Sequence, residues 1–194
     1  DNGVERELVG DVVPLANAGG KRAVVIAVDT SEAMDPVMAD IRDSVTAVVE
    51  GLPGDVPVGI VTFADRVVPV RALTTDRARI LDTISQLQAN GESVLWDGIA
   101  SSAELLATDA PDAQPSVVVV TGSGNLASVS TSGDAVGALR NAGAPAYIVG
   151  LEGERLDTGG LEDVVERAGG RLLTTGDSEA LDEMGTTMAA TVDQ

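Results

Sequence analysis

The sequence predicts one doubly wound α/β domain, and three observations carry that prediction. Two runs rich in β-branched residues, Val24 to Val28 and Val117 to Val120, show no polar alternation. Strands buried on both faces of a parallel sheet read this way. Segments with apolar stripes at helical spacing lie between the strand-like runs, as in a sheet covered by helices. Both runs then stop in polar, turn-forming clusters, Asp29-Thr30-Ser31-Glu32-Ala33 and Gly122-Ser123-Gly124-Asn125. Open α/β sheets place their ligand sites at that carboxyl end.

Taken in order, residues 1–20 alternate weakly through Val4, Leu8 and Val12 and end in Asn17-Ala18-Gly19-Gly20. They read as an extended lead-in, the remnant of a preceding β segment, before a domain spanning residues 21–194. Ala23 to Asp29 is the first central strand. A helix from Asp35 to Leu52 follows, with Val37, Ile41, Val45 and Val48 on one stripe, Pro36 in its first turn and Pro53-Gly54 as its stop. Pro57 to Ala64 is a strand that turns at Asp65-Arg66 into Val67 to Leu73. So short a turn implies an antiparallel pair, and Pro69 places the second arm at a sheet edge.

Thr75-Asp76 caps a helix running to Gln88. The loop Ala89 to Ser93 leads into a helix from Leu95 to Thr108, and Pro111 to Gln114 connects it to the strand Ser116 to Thr121. The remaining elements are a helix Gly133 to Asn141, a strand Ala146 to Leu151, a helix Leu161 to Ala168, a strand Arg171 to Thr174 and a helix Ser178 to Val192. No repeat or low-complexity linker interrupts the 194 residues, a length that suits one domain.

Composition narrows the chemistry. A hydrophobic content of 44% supplies a core without disulfides, while aromatics at 2% leave few rings for stacking on bases or sugars. A net charge of −19 argues against nucleic acid and against anionic membrane surfaces. The absence of His and Cys removes the Ser-His-Asp triad, thiol nucleophiles and the usual zinc sites. No apolar run is long enough to insert this segment directly into a membrane.

What remains is oxygen chemistry. A carboxylate and two hydroxyls on one tight loop, Asp29, Thr30 and Ser31, are hard ligands suited to a divalent cation. The same residues equally suit capping of the following helix.

Several phrases together are similar to the von Willebrand factor A domain family: V-V-I-A-V-D-T-S-E-A-M from Val24, A-L-T-T-D-R-A-R-I from Ala72, G-E-S-V-L-W-D-G-I from Gly91, and V-V-V-V-T-G-S-G-N from Val117. The resemblance covers about residues 21–192. It implies a mostly parallel six-stranded sheet in the order 3-2-1-4-5-6, with one antiparallel edge strand and helices on both faces. It also implies a metal-ion-dependent adhesion site for magnesium or manganese, completed by an acidic group of a partner. Carried over residue by residue, Asp29 and Ser31 keep their ligand types, and Ser93 stands for a threonine. Ala33 replaces a serine and Gly122 an aspartate, so the expected metal set shrinks to Asp29, Ser31 and Ser93 and the site reads as degenerate. The reading is therefore no bound cofactor, with magnesium or manganese as the alternative.

The resemblance implies a non-catalytic adhesion or assembly module that binds a protein partner. Its expected contact surface is the rim formed by Asp29 to Ala33, Gly91 to Trp96 and Gly122 to Leu126, with Asp29, Thr30, Ser31, Glu32, Ser93, Trp96 and Ser123 as its expected binding residues and Trp96 read alternatively as packing. Asp1-Asn2-Gly3 resembles the turn that precedes the domain in envelope-associated bacterial members, some of which are attached to membrane proteins. The Arg-rich, Lys-poor composition is compatible with a high-GC bacterium, so the expected setting is the cell envelope, as part of a larger protein. An intracellular assembly subunit linked to a metal chelatase or an ATPase is the alternative. A dinucleotide-binding enzyme is a further rival, since Gly122 to Ala127 matches G-x-G-x-x-A, but the polar run Ser128 to Gly133 is turn-like where that motif needs a helix.

Overall fold

The computed structural model describes residues 21–151 and 155–176. The expected lead-in of residues 1–20 and the expected final helix Ser178 to Val192 lie outside the described residues.

Six strands form one sheet: β1 (Arg22–Asp29), β2 (Val58–Phe63), β3 (Val67–Thr74), β4 (Gln114–Thr121), β5 (Ala146–Leu151) and β6 (Gly170–Thr175). Their order is β3-β2-β1-β4-β5-β6, as the resemblance implies. Every neighbouring pair is parallel except β2 with β3. The proline expected at an edge is there, Pro69 of β3 lying opposite Val61 beside irregular register.

Among the described residues five α-helices cover the sheet: α1 (Met38–Gly51), α2 (Arg77–Ser85), α3 (Leu95–Asp109), α4 (Ser132–Ala142) and α5 (Thr158–Ala168). Strand side chains alternate between faces, so each central strand feeds two cores. Val24, Ile26 and Val28 join Val118 and Val120 beneath Ile41, Val45 and Ile80 of α1 and α2. Val25 and Ala27 join Val117, Val119 and Phe63 against Ile99, Leu139 and Leu161 of α3, α4 and α5. Each aliphatic side chain fully buried this way contributes about 1.5–3 kcal/mol. This double coverage is the physical reason the strand runs carry no polar alternation.

Several boundaries differ from expectation, among them the end of α2 at Ser85 rather than Gln88, and three have a plain local cause. The helix expected from Asp35 is a 3-10 segment, Glu32–Val37, before α1 proper begins at Met38. Pro36 has no amide hydrogen to give an α-helical ladder, and it sits inside that tighter turn. Helix α5 starts at Thr158 because the Asp157 carboxylate accepts from the Gly160 amide at 2.9 Å, a cap hidden by the Gly159-Gly160 pair. Strand β4 begins at Gln114, whose amide donates to Lys21 O at 2.8 Å and extends the pairing with β1.

Candidate functional site at the carboxyl end of the sheet

Strands β1 and β4 are neighbours whose chains then leave for opposite faces of the sheet, so their carboxyl ends open a switch-point crevice. Four loops meet there and are tied through the backbone. The Thr30 amide donates to Phe63 O at 3.0 Å, the Asn90 amide to Thr30 O at 2.7 Å, and the Glu32 amide to Gly91 O at 2.9 Å. From the hairpin tip, the Asp65 carboxylate accepts the Glu92 amide at 2.8 Å. Gly91 has φ of +72°, and a Cβ there would lie 2.4 Å from the Asp65 carboxyl, so this turn requires glycine.

Asp29 is the centre of the crevice and is wholly buried. Its Oδ1 accepts the Ser31 amide at 2.9 Å. Its Oδ2 accepts the Thr121 hydroxyl at 2.7 Å and the Ser123 hydroxyl at 2.5 Å. The Ser31 and Ser123 hydroxyls lie 3.4 Å apart, so a chain of hydroxyls seams the end of β1 to the end of β4. A buried carboxylate is tolerable because each oxygen has a donor. Thr121 is the partner that sequence reading missed. It reads as the last residue of a strand, and only the register of β1 against β4 turns its hydroxyl onto Asp29.

The other expected positions fall differently. Ser93 is close by in sequence to the Gly91 turn, and its carbonyl accepts the Leu126 and Ala127 amides at 3.0 and 3.1 Å. Its hydroxyl is buried and has no hydrogen-bond partner. Ala33 and Gly122 bring no side-chain oxygen, and a Cβ on Gly122 would lie 2.9 Å from Met34 Cε and 3.2 Å from Leu151 Cβ. Apolar side chains thus occupy the space beside Gly122. Among the described residues no three acidic side chains converge on one point.

Of the seven expected rim residues only Glu32 is exposed. Asp29, Thr30, Ser31, Ser93 and Ser123 are buried. Trp96 is 6% exposed and packs in the core with Ile99 and Leu161, the packing alternative. The same three segments line an open hollow of about 740 Å³, which adds Met34 and Leu151 to Leu126 as apolar lining and Arg155 to Glu32 and Glu92 as charged lining.

The loop after β4 is fastened to the start of α3. The Ser128 hydroxyl accepts the Trp96 and Asp97 amides at 3.1 and 3.2 Å. In return the Asp97 carboxylate accepts the Val129 and Ser130 amides at 2.9 and 2.8 Å. Burial works to raise the Asp97 pKa, but the hydroxyl and amide of Ser130 and the amide of Val129 outweigh it, and the carboxyl lies below its usual value. Asp134 is lowered too, by the Thr131 amide and hydroxyl that it accepts in the capping box of α4. Neither carboxyl is shifted in the direction of a general acid at neutral pH. Helix α4 begins only at Ser132, so the glycine loop at Gly122 does not run into a helix N-terminus as a dinucleotide site would.

Comparison with known proteins bears on fold and family. A family model described as von Willebrand factor type A domain matches residues 24–125, more than half of the chain. Comparison with curated protein sequences gives no match. The structure is similar to a von Willebrand factor type A protein from Catenulispora acidiphila, with a TM-score of 0.80 and 20% identity. That match covers 90% of this chain and 43% of the other. BatB from Bacteroides thetaiotaomicron matches at a TM-score of 0.71 and 14% identity, over 88% of this chain and 98% of its own. The PilB minor pilin from Streptococcus sanguinis matches at 0.66 and 14% identity, over 91% of this chain and 62% of its own. Identities this low speak for the fold alone.

Proposed function

The chain belongs to the von Willebrand factor type A domain family, and from that premise we propose that it is a non-catalytic recognition module. It binds a protein partner at the carboxyl-end rim of its sheet and does so without a divalent cation. The observation that carries the metal-free reading is the state of Asp29, whose two oxygens already accept three internal donors. Magnesium needs a near-octahedral oxygen shell and draws on carboxylates to hold it. One engaged carboxylate, with Ala33 and Gly122 silent and Met34 packed beside Gly122, fits that demand poorly.

A retained cation has one observation in its favour, the buried Ser93 hydroxyl with no partner. Such an atom needs an explanation, and a single water supplies one as readily as an ion does. The non-catalytic reading is supported by the lack of His and Cys and by the openness of the rim. An envelope setting is part of the proposal, in line with the minor pilin that shares the fold. No helix among the described residues is long and apolar enough to cross a membrane.

Two measurements test the reading together. Calorimetric titration of magnesium and manganese, beside Asp29→Ala, is expected to give no saturable heat at millimolar metal. One-to-one binding that the substitution abolishes would sink the metal-free part. Affinity capture from the native host, run in magnesium and in chelator, is expected to retain the same protein partner in both. Capture of nothing specific in either arm would sink recognition itself.

A further inference from the structure

Leu126 and Val129 are the large apolar side chains exposed among the described residues, at 58% and 96%. Exposed apolar residues scattered singly need no explanation, but these two share one short loop at the functional end of the sheet. The backbone that carries them is held on both sides. Leu126 and Ala127 donate to Ser93 O, Val129 and Ser130 donate to the Asp97 carboxylate, and Ser128 accepts the first amides of α3. A loop fastened this way presents its side chains without the ordering cost that a free loop incurs on binding.

Resting on the recognition reading above, we infer that this loop and the adjoining hollow dock a polypeptide segment that combines apolar side chains with lysine or arginine. Leu126 lines the hollow with Met34 and Leu151, which gives an apolar side chain of the partner a seat. Glu32 and Glu92 line it too, two carboxyls to the one guanidinium of Arg155. The whole chain carries −19, so its field draws in a cationic segment and repels an acidic one. The same field disfavours a second copy of this chain, which would bring Glu32 and Glu92 against their own counterparts. The partner's charge is thus opposite to that of an acidic group bridged through a cation.

The test is selection of a random displayed peptide library on the intact chain in the presence of chelator. Wild type is compared with Leu126→Ser/Val129→Ser and with Glu32→Lys/Glu92→Lys. All four side chains are solvent-facing or line the open hollow, and an unchanged melting temperature verifies each fold. The expected result is enrichment of peptides mixing apolar residues with Lys or Arg, whose affinity falls by at least about tenfold in either double variant.

Acidic peptides that require magnesium would overturn the inference and leave recognition standing. Peptides indifferent to all four substitutions would overturn it by placing the contact elsewhere. A wild-type dimer that Leu126→Ser/Val129→Ser dissolves in sedimentation would overturn it in favour of a second copy. Failure to enrich any peptide, with a partner still captured from the host, would overturn this inference alone.

Discussion

Ser123 donates to Asp29 from across the seam between β1 and β4, and removing its hydroxyl leaves a buried carboxylate short of one donor. Ser123→Ala is therefore expected to cost about 1.5–3 kcal/mol, the range for a hydrogen bond to a charged group. A lower urea midpoint at unchanged slope is the measurement, and an unchanged midpoint would mean that Asp29 does not depend on that donor. At this scale the sequence was legible in part. Asp29 and Ser31 stand out because a carboxylate and a hydroxyl follow an apolar strand with nothing apolar between them. Thr121 does not, since its role depends on a partner 92 positions away. Trp96 was ambiguous because an indole suits a rim and a core alike, and the packing of α3 against the sheet decided for the core.

Among the elements, α3 and the loop after β4 form a reciprocal clasp through Ser128 and Asp97. Its dependence on pH has a definite sign. The folded Asp97 carboxyl lies below its usual value of 3.8, so the clasp contributes stability above that value and loses it as pH falls through the folded pKa. Amide chemical shifts of Val129 and Ser130 are expected to move together in that acid window and to stay flat in Asp97→Asn. Movement near neutral pH would contradict the assignment. Element existence and order were readable from periodicity, whereas ends were set by local chemistry that periodicity does not register. Pro36 converts the start of a helix into a 3-10 turn, and Asp157 starts α5 ahead of its apolar stripe.

For the whole molecule, a charge of −19 leaves the folded state under its own repulsion. The exposed pairs Arg79–Asp76 and Arg167–Asp163 contribute little against it. Sodium chloride raised from low to physiological strength is expected to increase the melting temperature, and a decrease would mean that attractive pairs outweigh the repulsion. The doubly wound topology was legible because continuous apolar strands alternate with amphipathic helices, and the edge position of β3 because Pro69 cannot serve a central ladder. The segments of the accessible rim, Leu126 among them, were legible as the loops at the strand ends, whereas Val129 was not, because its exposure is a property of how a polar loop is fastened. The seam between β1 and β4 has a kinetic consequence as well. It joins segments separated by α1, the hairpin, α2 and α3, and chain-closure entropy must be overcome before that pairing returns anything. The two halves of the sheet are therefore expected to meet late as the chain folds. Until they do, Val117 to Val120 has β5 on one side and an open edge on the side that β1 will fill, and that valine edge is where the nascent protein is expected to be most prone to aggregate.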